Sequence, residues 1–133
     1  YARASGYKRV ETGITVALGE VYRDLGDHKK SIELLQEALA IARETQDSNF
    51  VAYSKAGLGE TYRIIGDLEK AAYWTKEALS QAQTEQQHYE IALFQMQLAM
   101  INDRNEKHEE AVIALAEVYK KLLLIGDRDA LAR

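Results

Sequence analysis

Leu18-Gly19-Glu20-Val21-Tyr22-Arg23 recurs 40 residues later as Leu58-Gly59-Glu60-Thr61-Tyr62-Arg63. At the same offset Gly26-Asp27 meets Gly66-Asp67, Lys30 meets Lys70, and Glu37-Ala38-Leu39 meets Glu77-Ala78-Leu79. Between residues 18–46 and 58–86, 13 of 29 positions are identical, too many for coincidence at one fixed offset. A third, more diverged copy lies a further 40 residues on. Leu98 keeps the leucine, while Ala99 and Asn102 replace the glycine and the tyrosine. Ala111, Leu115 and Glu117 match Ala71, Leu35 and Glu37.

Each copy reads as two helices. Leu18, Val21, Tyr22 and Leu25 follow helical spacing. Gly26 then ends the helix, because glycine takes the left-handed conformation at little cost. Asp27 is placed as an N-cap, its carboxylate accepting from the first unpaired amides of the next helix. That second helix carries Ser31, Leu34, Leu35, Ala38, Leu39 and Ala42 on one stripe, and Ala71, Ala78, Leu79 and Ala82 repeat it. The spacing predicts helices near 7–25, 28–45, 49–65, 68–85, 88–104 and 107–125. The units that follow are 7–46, 47–86 and 87–126, with 1–6 closing a preceding repeat and 127–133 opening another.

These residues resemble the tetratricopeptide repeat, whose signature places leucine and glycine before a tyrosine in the first helix and small residues in the second. Here the phrase is Leu18-Gly19…Tyr22…Ser31…Ala38, and again Leu58-Gly59…Tyr62…Ala71…Ala78. The resemblance implies an all-α solenoid of three antiparallel helix–turn–helix repeats, six helices in a right-handed superhelix. It also implies that Gly19 and Gly59 let the two helices of a repeat approach closely. Thr15, Lys55 and Gln95 stand where the family has a tryptophan-like position, and the proline that often closes a repeat is absent. The period of 40 exceeds the usual 34. The six extra residues are expected in the second helix and the inter-repeat loop. This is similar to the longer-repeat branch found in polarity adaptors, kinesin light chains and signal-responsive bacterial regulators.

Composition agrees with helices. The 133 residues contain no proline and only eight glycines, so little in the chain breaks a helix. Seventeen scattered Lys and Arg against a net charge of −4 exclude a phosphate-tracking surface, so nucleic acid is not expected as a partner. Apolar runs such as Leu122 to Ile125 fall far short of a membrane span. Cysteine is absent, which removes disulfides, thiolate metal sites and thiol nucleophiles, and suits a reducing cytoplasm.

No catalytic constellation is present. His28, His88 and His108 have no partners at metal-ligand spacing, so neither a metal nor a cofactor is expected. Ser5, Ser31, Ser48, Ser54 and Ser80 lack a nucleophile-elbow context. Gly6, Gly13 and Gly57 are isolated rather than part of a phosphate-binding loop. The chain reads as a binding protein and not as an enzyme.

By the resemblance, the groove of stacked repeats is lined by first helices. The matching positions are Gly13, Val16, Glu20 and Arg23, then Tyr53, Ala56, Glu60 and Arg63, then Leu93, Met96, Met100 and Asp103. Of these, Val16, Glu20, Arg23, Tyr53, Glu60, Arg63, Leu93, Met96 and Met100 are the expected contacts for a peptide or helix of a protein partner. Tyrosine and methionine adapt to apolar side chains, and Arg23 and Arg63 can hold polar groups. Two competing explanations stand beside this one. Glu and Arg three apart on a helix commonly pair with each other, and Met96 or Met100 can be core. A carboxylate-clamp mode does not fit, because Val16, Glu20, Gly57, Leu93 and Gln97 occupy its positions. Polarity adaptors carry asparagine where this chain has Glu20 and Glu60. The alternative function is the sensor arm of a larger bacterial regulator, binding an effector or its own neighbouring domains. Val118, Leu122, Leu123 and Ile125 further predict self-association through the repeat ends.

Overall fold

The computed structural model describes the backbone of residues 2–104 and 108–132, and the side chains of residues 6–102 and 112–125. Six helices follow one another: α1 Ala2–Asp24, α2 His28–Glu44, α3 Ser48–Ile65, α4 Leu68–Thr84, α5 His88–Arg104 and α6 His108–Ala132. Among the described residues there is no strand. Each helix packs on the next, and α1 also touches α3 as α3 touches α5. The result is an all-α solenoid of three helix pairs.

The turns follow from particular residues. Gly26 and Gly66 sit at φ 89° and 100°, in the left-handed region where a side chain is strained. This lets the Asp27 and Asp67 amides donate back to the Tyr22 and Tyr62 carbonyls at 2.9 and 3.0 Å. Asp27 and Asp67 then accept from the Lys30 and Lys70 amides at 3.1 and 3.2 Å, as N-caps. The turns between pairs close in the same way, with the Asp47 and Gln87 amides donating to the Ala42 and Ala82 carbonyls at 2.9 and 3.0 Å, but without glycine. Gln46 and Gln86 take φ 55° and 53° without being glycine. Asp47 caps α3 by accepting from the Phe50 amide at 3.3 Å.

The outer ends of the first and last helices differ most from the sequence reading, the other bounds by one residue at most. α1 starts at Ala2 rather than 7, because Gly6 alone does not break a helix that contains no proline. α6 runs to Ala132, past the expected end at 125. The inter-repeat turns span only 45–47 and 85–87. The six extra residues of the period therefore extend helices and not loops.

Leu35 is the centre of the first core cluster and is fully buried with Ala38, Ala42 and Leu58. Its neighbours explain two glycines. A Cβ at Gly19 would lie 2.9 Å from Leu35 Cγ, and one at Gly57 would lie 2.9 Å from Leu35 Cδ2. One leucine of α2 thus fills the notches of α1 and α3 together. A second cluster joins Ala52, Ala56, Ala78, Ala82 and Phe94, with Leu79, Ile91 and Leu93 against it. The buried Ser31 and Thr61 hydroxyls pair at 3.2 Å, and Thr61 also donates to the Gly57 carbonyl at 2.9 Å, whereas the buried Ser54 hydroxyl has no hydrogen-bond partner among the described residues.

Candidate functional site

The face shared by α1, α3 and α5 carries the expected contact residues, and they divide by burial. Val16 belongs to the first core cluster and is only 8% exposed, so it forms the floor and offers little surface. Ala56 is equally buried. Leu93 and Met96 are half-buried, Leu93 packing on the second cluster, whereas Met100 is exposed. The Asp103 and His108 side chains lie outside the described residues.

Glu20/Arg23 and Glu60/Arg63 hold the same repeat positions and behave differently. Arg63 Nε donates to Glu60 Oε2 at 3.0 Å, and a second bond joins Arg63 Nη2 to Glu60 Oε1. That bidentate pairing raises the Arg63 pKa above its ordinary value, against the opposing effect of burial. Arg23 instead lies 3.6 Å from exposed Asp24, and its buried Nε finds no hydrogen-bond acceptor among the described residues. Glu20 stays exposed. Local pairing is therefore realised in α3 and not in α1.

Tyr53 is held on both sides. Its ring lies edge-on to Phe50 and Phe94, with centroids 6.5 and 6.4 Å away. Its hydroxyl donates to Glu90 Oε1 at 3.0 Å. Desolvation by burial, followed by the Glu90 carboxylate, raises the tyrosine pKa above its ordinary value. Arg9 extends the row, 5.4 Å over the Phe50 ring, while Nη1 donates to Asp47 Oδ2 at 2.9 Å. Phe50, Phe94, Glu90 and Arg9 were not singled out in the sequence. Phe94 occupies the repeat position of Ser54, so no recurrence flagged it.

Gln97 ties three helices together. From α5 its Nε2 donates to the Ala56 carbonyl of α3 at 3.1 Å and to Thr75 Oγ1 of α4 at 2.9 Å. Lys55, at the tryptophan-like position, is buried and reaches Glu77 at 3.8 Å.

A family model described as tetratricopeptide repeat matches residues 12–84, more than half of the 133-residue chain. The chain belongs to the tetratricopeptide repeat family. A second model, of anaphase-promoting complex subunit 5, matches residues 71–121 and overlaps the region of the diverged third copy. A search of curated proteins found no match. Tetratricopeptide repeats generally mediate protein–protein interaction on a non-catalytic scaffold. Among the described residues, no three His, Asp or Glu side chains lie close enough to hold a metal ion. No described helix is long and apolar enough to cross a membrane.

Proposed function

We propose that the face of α1, α3 and α5 holds a segment of a partner protein, with apolar side chains over Leu93, Met96 and Met100 and an acidic group at Arg23. The observation that supports this is the difference between the two arginines. Arg63 is bound by Glu60, whereas Arg23 keeps a buried Nε without an acceptor beside an exposed Glu20. With no carboxylate hydrogen-bonded to it, the Arg23 guanidinium can take one from a ligand. The apolar floor of Val16 and Ala56 brings such a ligand close to the helix backbones. In this reading the protein acts without catalysis, metal or cofactor, as a scaffold in cytoplasmic signalling.

The test is fluorescence anisotropy against a library of apolar peptides with and without an acidic residue. Acidic members should bind, and Arg23→Glu should weaken them by about 10- to 100-fold, the range of an interface hot spot. Adding Arg63→Glu should abolish binding with helicity unchanged by circular dichroism. A partner that binds the double variant as tightly as the parent would place recognition elsewhere.

A further inference from the structure

Sulfur enters this chain at two positions only. There is no cysteine, and the two methionines, Met96 and Met100, stand four residues apart on α5. That spacing puts both on one face of the helix, the face that also carries Leu93.

The two sulfurs are not equivalent. Val16 and Ala56, the counterparts of Met96 in the other repeats, are buried, and Met96 is itself half-buried. Met100 is 42% exposed. Its counterparts are Glu20, which is exposed, and Glu60, which is half-buried and bonded to Arg63. Glu20 stays open although α3 packs beside α1, so exposure belongs to this repeat position and not to the third repeat alone. A position that holds a carboxylate in two repeats holds a thioether in the third.

Met100 also stands apart from the packing. Of the two seams between helix pairs, α2 with α3 and α4 with α5, the second is built on the α5 side by Ile91, Phe94 and Gln97. Met100 belongs to neither core cluster. A change in its polarity therefore alters the surface of the groove and leaves the helix pairs joined.

Peroxides attack a thioether at sulfur. With hydrogen peroxide the sulfur lone pair takes one oxygen, the O–O bond breaks, an S–O bond forms, and the second oxygen leaves as water. Sulfur loses two electrons and the peroxide gains them. The sulfoxide is polar where the thioether was apolar, and reductases return it to methionine.

We propose that Met100 is a reversible oxidation site through which peroxide lowers the affinity of the α1, α3 and α5 face for its apolar partner segment. This rests on the groove reading given above. No thiol competes for the oxidant, and Met100 is oxidised before Met96 because it is the more exposed of the two.

The test treats the full chain with graded hydrogen peroxide and locates each added oxygen by fragment mass spectrometry. Met100 should be oxidised first. Anisotropy then follows a labelled apolar peptide carrying one acidic residue. Oxidation should weaken its binding about tenfold, as loss of an interface contact does, and the two methionine sulfoxide reductases should restore it. Met100→Leu should hold its own starting affinity through the same treatment, while Met96→Leu should lose affinity as the parent does. Oxidation of Met96 ahead of Met100 would overturn the proposal. So would unchanged binding once Met100 is oxidised, a loss that persists in Met100→Leu, or a fall in helicity by circular dichroism on oxidation. Failure of every such peptide to bind the reduced protein would refute the groove reading itself and the switch with it, whereas the order of oxidation is read without any peptide.

Discussion

Replacing Gly59 with alanine adds one methyl group to a place where three atoms from two other helices converge. The new Cβ would collide with the Thr75 hydroxyl and lie 3.0 Å from Gln97 Nε2 and 3.2 Å from the Ala71 carbonyl oxygen. The carbonyl belongs to α4 backbone and cannot turn aside. Thr75 can rotate, but only by giving up its 2.9 Å bond from Gln97. Overpacking of a tight site costs about 1–3 kcal/mol. The lost buried hydrogen bond costs about 1 kcal/mol more. Alanine regains about 1 kcal/mol of helix propensity over glycine. The net expectation is a loss of about 1–3 kcal/mol. Gly6 provides the control, since it is helical and a Cβ there meets nothing within 4 Å. Gly6→Ala should therefore gain up to about 1 kcal/mol from propensity alone. Urea titration followed at 222 nm measures both, with m-values compared to confirm that the transition is unchanged in kind. A Gly59→Ala protein within about 0.3 kcal/mol of the parent would refute the close approach argued from α3 to α4.

Leu35→Ala should cost about 3–5 kcal/mol, the upper part of the range for such truncations, because the side chain is fully buried against notches in two other helices; a urea midpoint shift equivalent to less than about 1.5 kcal/mol would deny it that role. Tyr53 has its pKa raised by burial and by Glu90, so its neutral form is favoured in the fold. Its contribution is fully present below pH 10, the ordinary tyrosine value, and is lost as the pH rises through the higher folded value. The stability difference between parent and Tyr53→Phe should accordingly shift against the parent above that pH, measured by urea titration in a pH series.

Much of this architecture was legible because two glycine–aspartate turns recur with the helices that surround them. Gly26-Asp27 and Gly66-Asp67 use backbone requirements that few other residues meet, so their chemistry shows in the letters. The turns between pairs were less visible. Gln46 and Gln86 adopt a left-handed conformation that glutamine does not advertise, within turns closed by the Asp47 and Gln87 amides on the Ala42 and Ala82 carbonyls. The candidate binding face was half legible. Helical spacing placed Glu60 and Arg63 on one side, yet their mutual pairing and the different fate of Glu20 and Arg23 depend on neighbours that spacing does not encode. Val16 was expected on the same face and is core, because α1 and α3 approach closely enough to bury it. The aromatic row from Phe50 through Tyr53 to Phe94 joins positions that do not repeat, so only the fold brings it together.

The carboxamide of Gln97 makes the two seams unequal in how they come apart. Peeling α5 away strips a donor from the Ala56 carbonyl and from Thr75 in one event, leaving polar atoms on two helices to be rehydrated together. Peeling α1 and α2 away leaves Thr61 still bonded to the Gly57 carbonyl within its own helix. The molecule is a zipper with one tooth filed down. Separating α5 therefore exposes polar atoms of α3 and α4 at once, whereas separating α2 leaves the Thr61 hydroxyl bonded within α3.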